Sequence, residues 1–198
     1  MEYRKAELAD LGSVYTITQA TIGKVYPLYY PAPVVSWFLG WHDPERIMAD
    51  LSAGKVRLLL LNGTPIATGT CDGCHLTRIF VDPAYQRKGY GTLLLDQLEA
   101  EVAQGHYSAI LDSSLPSGRF YQQRGYRTVA HEALDLRGPN QEVAAVLTWE
   151  VMEKPFVKPV EEAPASSSAP AASQPGANVV EISAEAADVM KQLPQMPF

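Results

Sequence analysis

The chain has 198 residues, of which 46% are hydrophobic and 19% charged, and its formal net charge is −6. This length and composition suit one globular domain with a tail, and they exclude collagen-like, fully disordered and disulfide-framework classes. The acidic balance argues against nucleic acid and anionic membranes as general partners, because both attract a positive surface. No apolar run reaches the roughly 20 residues that cross a bilayer, and the N-terminus lacks a signal-peptide pattern. We therefore expect a cytoplasmic enzyme or binding protein.

The N-terminal part of the chain is expected to be mainly helical. A short strand at residues 3–7 precedes a helix over residues 10–22. Proline and aromatic residues then crowd residues 26–41. Asp43-Pro44 opens another helix, because Asp caps helix starts and Pro suits the first helical position.

Two dipeptides that tolerate a positive φ angle, Asn62-Gly63 and Asp72-Gly73, mark tight turns. They separate strand-like segments at residues 55–61, 64–71 and 74–81. The pattern predicts two successive hairpins and three antiparallel strands.

The second half alternates between helices and strands. A helix opens at Gly89-Tyr90-Gly91 and places Leu94, Leu98 and Val102 on one face. A strand at residues 107–112, a helix at 116–124 and strands at 126–136 and 142–151 follow. A mixed sheet with helices between its strands is the result, and it favours the α/β or α+β class.

Composition changes sharply near residue 155. Of the 15 residues from Ala163 to Ala177, 13 are Ala, Ser or Pro, which is typical of a flexible linker. Apolar residues return at near-helical spacing after Asn178. The sequence predicts a globular domain at residues 1–154, a linker at 155–177 and a short amphipathic peptide at 178–198.

The densest chemical signal is the run from Phe80 to Thr92, where a strand leads into a basic, glycine-containing loop that opens a helix. Free backbone N–H groups and the helix dipole make such a helix start an anion site. Gly89 and Gly91 let a phosphate approach the backbone, while Arg87 and Lys88 add positive charge. An ordinary strand-to-helix turn is the alternative. The run lacks the Gly-Lys-Ser/Thr of nucleotide hydrolysis and the third glycine of a dinucleotide fingerprint.

Residues 86–91, Gln-Arg-Lys-Gly-Tyr-Gly, resemble the Gln/Arg-x-x-Gly-x-Gly/Ala acetyl-CoA signature of the GNAT acyltransferase superfamily. Residues 120–126, Phe-Tyr-Gln-Gln-Arg-Gly-Tyr, resemble that family's Tyr-x-x-x-Gly-Phe/Tyr block. The predicted element order also agrees over residues 1–152. The resemblance implies a mixed, mainly antiparallel central sheet flanked by helices. It also implies an N-acetyltransferase that moves an acetyl group from acetyl-CoA to an amine by direct transfer in a ternary complex.

The resemblance further implies roles for individual residues. The backbone of Phe80 and Val81 would pair with the pantetheine arm, and Ser114, where the family often has Asn, would hydrogen-bond CoA. Tyr121 matches the tyrosine beside the CoA sulfur, where a phenol of ordinary pKa near 10 would donate a proton to the thiolate. A plain core aromatic is the alternative for Tyr121. The pyrophosphate would be held by Arg87, Lys88, Gly89, Tyr90, Gly91 and Thr92.

Direct transfer needs a neutral amine. A lysine-like amine with a pKa near 10.4 costs about 4–5 kcal/mol to deprotonate at pH 7, so a base is expected. His75, on the strand that enters the groove, and Asp72, at the preceding turn, are the candidates. A surface hairpin residue is the alternative for each.

The sequence Cys71-Asp72-Gly73-Cys74-His75 matches the Cys-x-x-Cys-His pattern of c-type haem attachment. A hairpin turn explains its centre, and an export signal for haem attachment is missing. A zinc site would need further Cys or His residues. Two free thiols and no metal are therefore expected, with a redox-active pair as the alternative.

The aromatic segment at residues 26–41 corresponds in order to the region that walls the acceptor site in the GNAT family. The candidate acceptor contacts are Tyr26, Tyr29, Tyr30, Trp37 and Trp41. Core packing or a homodimer interface is the alternative.

Three hypotheses of function follow. The first is an acetyl-CoA-dependent N-acetyltransferase whose acceptor is a small molecule or a peptide. The second is a non-catalytic acyl-CoA sensor with the tail as its output. The third is O- or S-acyl transfer on the same scaffold.

Overall fold

The computed structural model describes residues 1–156, and the statements below concern these residues. The predicted C-terminal peptide and all but the first two residues of the predicted linker lie outside this range. The last strand runs on to Pro155, and the backbone N–H of Phe156 donates to the Tyr107 carbonyl at 2.7 Å. The folded part therefore extends at least two residues beyond the predicted boundary at residue 154.

The described chain forms a seven-stranded sheet in the order β1-β2-β3-β4-β5-β7-β6, in which only β4 and β5 pair in parallel. The strands are β1 Glu2–Lys5, β2 Val56–Leu61, β3 Thr64–Asp72, β4 His75–Val81, β5 Ser108–Ser113, β6 Arg127–Arg137 and β7 Val143–Pro155. The helices are α1 Leu11–Val25, α2 Ala32–Trp41, α3 Pro44–Ser52, α4 Tyr90–Gly105 and α5 Gly118–Gln123. The expected mixed, mainly antiparallel sheet flanked by helices is confirmed.

Both predicted hairpins are present, but one turn is shifted. Asn62 and Gly63 join β2 to β3 with φ angles of 52° and 79°, as expected for this dipeptide. Asp72, by contrast, is the last residue of β3 and pairs with His75, so the second turn consists of Gly73 and Cys74. Only Gly73 needs a positive φ angle there, 58°, and a glycine at the first turn position meets that need.

The aromatic segment contains a helix, α2, where the sequence pattern predicts neither a helix nor a strand. Pro31 is its N-cap and Pro33 lies in its first turn. Prolines are tolerated at these positions because the first N–H groups of a helix have no intrahelical partner. The predicted cap of α3 is confirmed, since the Asp43 carboxylate accepts the Arg46 N–H at 2.8 Å.

Two hydrophobic clusters lie on opposite faces of the sheet. One packs α4 against the sheet through the predicted face of Leu94, Leu98 and Val102, all of which are buried. The other packs α1, α2 and α3 and includes Ile17 and Ile47. The sheet therefore has an α4 side and an α2 side.

The sheet splits between β4 and β5. Their pairing comprises two rungs, His75 with Ile110 and Leu76 with Leu111, after which the strands separate. A β-bulge at Arg78, whose φ angle is 50°, bends β4 just beyond the last rung. The result is a gap that crosses the sheet from its α4 side to its α2 side.

We propose that residues 1–156 form an autonomous domain, and truncation tests this proposal. A chain ending after Phe156 should keep the melting temperature of the full chain in circular dichroism. A chain ending after Lys154 loses the Ser108–Pro155 rung and the partly buried Phe156 ring, so its melting temperature should fall by about 2–4 °C for each kcal/mol lost. Loss of cooperative unfolding in the chain that ends after Phe156 would contradict the proposed boundary.

Candidate functional site

A groove of about 2150 Å³ occupies the gap between β4 and β5. On the α4 side it is lined by the loop before α4, the first turn of α4 and residues of α5. On the α2 side it is lined by α2 and by the β6–β7 hairpin. A single groove thus places the predicted anion-binding loop and the predicted aromatic segment against the same space.

The loop that enters α4 has two left-handed residues, Arg87 with a φ angle of 61° and Gly89 with 84°. Gly89 is the N-cap of α4, and the first intrahelical bond runs from Leu93 N–H to the Gly89 carbonyl at 3.0 Å. The N–H groups of the three residues before Leu93 therefore have no partner within the helix. They form, at the positive end of the helix dipole, a cradle of N–H donors that would stabilise an anion.

Gly91 keeps the mouth of this cradle open. A Cβ atom at Gly91 would lie 3.6 Å from Val81 and 3.8 Å from Phe120, both of which line the groove. Arg87 also lines the groove, and so does Thr92. Glycine at this position therefore leaves free the space through which an anion would reach the N–H groups.

Two predicted phosphate contacts are not among the residues that line the groove. Lys88 Nζ donates to the Ala84 carbonyl at 3.2 Å and lies 5.5 Å from the centre of the Tyr85 ring. The Tyr90 ring also packs near Tyr85, with ring centres 6.4 Å apart. Both side chains are engaged with the loop itself.

The edge of β4 at Phe80 and Val81 also faces the groove. The Val81 carbonyl accepts hydrogen bonds from Thr21 Oγ1 at 3.0 Å and from Gln86 Nε2 at 2.8 Å. These two side chains hold the end of β4 in place. The Val81 carbonyl is thus already hydrogen-bonded within the domain, although the Val81 backbone is predicted to pair with a ligand.

Tyr121 lies on α5 with its side chain at the wall of the groove and only 6% of its surface exposed. Its ring packs against Phe120 and Tyr126, with ring centres 5.2 and 5.7 Å away. Burial, and to a smaller extent Tyr26, raises the pKa of Tyr121 well above its ordinary value. The phenol is therefore protonated at neutral pH, as a proton donor requires.

The loop between β5 and α5 is tied to the aromatic segment. Ser114 Oγ lies 3.0 Å from the Tyr26 hydroxyl and 3.2 Å from Ser117 Oγ. The Leu115 N–H donates to the Tyr30 hydroxyl at 2.7 Å. Ser114 and Tyr26 line the groove, whereas buried Tyr30 supports the loop from behind.

The two predicted bases lie in different surroundings. His75 Nε2 is 3.0 Å from the Asp112 carboxylate, and Asp112 lines the groove where β4 and β5 separate. The Asp72 carboxylate instead accepts a hydrogen bond from Lys55 Nζ at 2.6 Å, and 60% of its side chain is exposed. Neither Asp72 nor His75 is itself among the residues that line the groove, and His75 is connected to it only through Asp112.

The aromatic wall on the α2 side includes Tyr29, Trp37 and Trp41. The two indoles stack at 10° with centres 5.3 Å apart, and the Arg46 guanidinium lies 4.0 Å over the Trp41 ring. The Trp37 ring and the Arg46 guanidinium cannot cover the same face of Trp41, so Trp41 is contacted on both faces. Trp37 also contacts the Phe38 ring edge-on, with ring centres 5.2 Å apart, and it lines the groove.

A buried polar cluster lies beside this wall, and no sequence pattern indicates it. Arg78 donates to Asp50 at 2.6 Å, to Thr70 at 3.1 Å and to His42 Nδ1 at 3.4 Å. Burial and the positive charge of Arg78 lower the pKa of His42 to about 3. His42, which lines the groove, is thus a neutral imidazole at physiological pH.

The Cys-x-x-Cys-His segment forms the turn between β3 and β4. In the part of the chain that the structure describes, Cys71 and Cys74 are not joined by a disulfide, and burial raises the pKa of the Cys71 thiol. Within residues 1–156, His, Cys, Asp and Glu side chains form no group of three or more that could hold a metal ion. The helices of the same residues include none that is both long and apolar enough to span a membrane.

Solved structures with this fold include acetyltransferases. The GCN5-related N-acetyltransferase of Rhodopseudomonas palustris superimposes with a TM-score of 0.69 and 23% identity, over 78% of this chain and 95% of that one. The yncA acetyltransferase of Salmonella typhimurium, solved with its cofactor acetyl-CoA, gives a TM-score of 0.60 and 19% identity over 87% and 99% of the two chains.

Sequence comparisons agree with the fold. The uncharacterized N-acetyltransferase YafP of Escherichia coli K12 is 26% identical over 113 residues, which are 56% of this chain and 69% of YafP. Glucosamine 6-phosphate N-acetyltransferase of Trypanosoma brucei brucei is 42% identical over 59 residues, 29% of this chain and 39% of that enzyme. The model of the acetyltransferase (GNAT) domain matches residues 36–135, about half of the chain. This protein therefore belongs to the GNAT family of acetyltransferases.

Proposed function

We propose that this protein transfers the acetyl group of acetyl-CoA to a primary amine by direct transfer in a ternary complex. The observation that carries the proposal is the groove through the split sheet. It joins an anion-binding helix start, the buried Tyr121 hydroxyl and an aromatic wall in one space. Its volume of about 2150 Å³ exceeds the roughly 300–1,000 Å³ of a single-ligand pocket, so two substrates fit together.

The described residues fit acetyl-CoA. The unpaired N–H groups at the start of α4 and the Arg87 side chain match the negative charge of a pyrophosphate. The exposed edge of β4 beyond Leu76 offers backbone groups to an extended arm that contains amides. Ser114 lines the groove nearby, and its hydroxyl is shared with Tyr26 and Ser117.

Bound acetyl-CoA supplies an acetyl group activated as a thioester. The Tyr121 hydroxyl, kept protonated by burial, gives its proton to the sulfur as the thiolate leaves. The acceptor amine reaches the thioester from the α2 side, past Tyr29 and Trp37. The amine must lose a proton to become a neutral nucleophile, and the groove must supply a group that accepts it.

We propose that His75 and Asp112 together form this proton acceptor. Asp112 reaches the groove, and His75 binds it from β4 at 3.0 Å. Imidazole is the side chain that most readily exchanges a proton near neutral pH. Asp72 pairs with His75 across the hairpin, but its carboxylate is held by Lys55 in an ion pair at 2.6 Å and does not line the groove, so we assign it to support of the hairpin rather than to the chemistry.

Two matched variants test this assignment. His75→Gln keeps an N–H donor for Asp112 but removes the imidazole, so kcat/KM should fall at pH 7. The loss should shrink as pH rises, because the neutral fraction of an amine grows about tenfold per pH unit below its pKa. Asp72→Asn should leave kcat/KM unchanged. An equal loss in both variants would contradict the assignment.

The proposed function is tested by CoA release from acetyl-CoA with a panel of primary amines, followed by mass analysis of the product. The expected product carries a mass increase of one acetyl group on nitrogen. Tight acetyl-CoA binding without turnover of any amine would favour an acyl-CoA sensor. An acetyl ester or thioester as the product would favour O- or S-acyl transfer.

A further inference from the structure

We propose that His42 presents a fixed N–H donor to a carbonyl oxygen of the acceptor. The acceptor is then an amine with an aromatic or aliphatic body and an amide carbonyl close to the nitrogen, as in an α-amino amide. This inference rests on the proposed N-acetyltransferase function and specifies the acceptor for the same groove.

The contact with Arg78 decides which nitrogen of His42 carries the proton. A guanidinium has N–H donors and no acceptor, so the ring nitrogen that faces it must accept. Arg78 Nε faces Nδ1 of His42 at 3.4 Å. The proton of the neutral imidazole therefore resides on Nε2, at the opposite edge of the ring.

That opposite edge is available to a ligand. His42 lines the groove, although only 9% of its surface is exposed. Among residues 1–156, no side chain or carbonyl accepts a hydrogen bond from Nε2. Nε2 is also not one of the fully buried polar atoms that lack a partner in these residues, so it is open to the groove. A ligand oxygen that accepts its hydrogen bond is favoured over an apolar group, which would displace water without replacing that bond.

The imidazole is also held in one orientation. Its ring stands edge-on to Phe80 at 89°, with ring centres 5.5 Å apart. Gln19 Nε2 donates to the His42 carbonyl at 3.0 Å. Asp50 and Thr70 fix the Arg78 guanidinium that sets the tautomer. A donor fixed in this way loses little entropy when a ligand binds, so it can select among acceptors.

Other residues that line the α2 side of the groove define the rest of the acceptor. Trp37, Leu136 and Ala144 line the same side of the groove and offer aromatic and aliphatic surface. The charge of Arg78 is matched by Asp50 at 2.6 Å, so a neutral donor rather than a net charge faces the ligand. At this point of the groove an uncharged carbonyl beside an apolar body is therefore the matching group.

L-Phenylalaninamide and 2-phenylethylamine are the probes, because their structures differ only in the carboxamide. Each variant is compared with the wild-type full chain on the same probe, so that the difference in amine pKa between the probes cancels. His42→Asn keeps an acceptor for Arg78 but removes the donor that faces the groove. It should lower kcat/KM for the amide by about five- to tenfold, mainly through KM, and leave 2-phenylethylamine unaffected. His42→Gln restores a donor near the Nε2 position and should recover most of the activity.

Three results would overturn the inference. An equal loss for both probes in His42→Asn would show that His42 only packs the wall. Unchanged kinetics in that variant would show that it does not contact the carbonyl. Turnover of other amines but of neither probe would exclude the acceptor class while leaving the N-acetyltransferase function intact. Failure of the proposed function is recognised separately, since no amine would then release CoA.

Discussion

Tyr121→Phe is expected to lower kcat by about 10²–10⁴-fold and to leave the dissociation constant of acetyl-CoA unchanged. The substitution removes only the hydroxyl, so the packing of the ring on Phe120 and Tyr126 is retained. A proton donated as the thiolate leaves is needed in the transition state and not in the bound ground state, so the loss falls on kcat. Single-turnover kinetics and calorimetry measure the two quantities.

Tyr126→Phe is the matched control for this prediction. Tyr126 belongs to the same buried aromatic cluster, but it is not among the residues that line the groove. Its substitution should leave kcat unchanged. A Tyr121→Phe enzyme with wild-type kcat, under conditions where the chemical step limits turnover, would show that the thiolate leaves without this hydroxyl.

The same substitution has an expected pH signature. A phenol donates its proton only below its pKa, and burial raises the pKa of Tyr121 above the ordinary value. Deprotonation of this group therefore removes no activity between pH 6 and about 9, a range that ends below the ordinary pKa of tyrosine. The ratio of wild-type to variant kcat should be constant over that range.

Gly91→Ala and Gly91→Val should weaken acetyl-CoA binding in a graded way, with about 10- to 100-fold loss for Val, because overpacking costs about 1–3 kcal/mol. The added Cβ lies in ordinary contact with Val81 and Phe120 in the free protein, so the fold should tolerate it. Helix propensity also differs little between Val and Gly. Calorimetry and thermal unfolding on the same samples separate binding from stability.

Gly105→Val provides the control, since Gly105 is at the other end of α4 and a Cβ there meets no atom within 4 Å. It should bind acetyl-CoA like the wild type. Gly89 is a poor probe, because a φ angle of 84° strains any residue with a Cβ and would lower stability as well. Wild-type affinity in Gly91→Val would exclude the cradle as the pyrophosphate site.

Local sequence signals predict the parts of this molecule that depend on neighbouring residues. The Asn62-Gly63 hairpin, the Asp43 cap and the apolar face of α4 follow from turn and helix preferences, and all are confirmed. The second turn is shifted by one residue, from the predicted Asp72-Gly73 to Gly73-Cys74. Gly73 is the second residue of the first pair and the first residue of the second pair, so the dipeptide signal alone fits both turns. Only the pairing of Asp72 with His75 decides between them.

The polar cluster on the α2 side could not be predicted in this way. His42 and Arg78 are 36 residues apart, and their contact depends on a bulge that turns Arg78 to a φ angle of 50°. No residue preference indicates a left-handed arginine inside a strand. The partnership of His75 with Asp112 likewise depends on the parallel pairing of two strands distant in sequence.

The sheet is weakly connected at the seam between β4 and β5, where the two strands share two residue pairs. Strands β1 to β4 and strands β5 to β7 are joined there by His75–Ile110 and Leu76–Leu111, and α4 bridges the seam by contacting β3, β4 and β5. A co-substrate bound along the seam, as proposed, would contact both halves of the sheet and hold them together. At 100 times its dissociation constant it adds about 2.7 kcal/mol to the free energy of unfolding, so amide hydrogen exchange along β4 and β5 should slow more than exchange in β1.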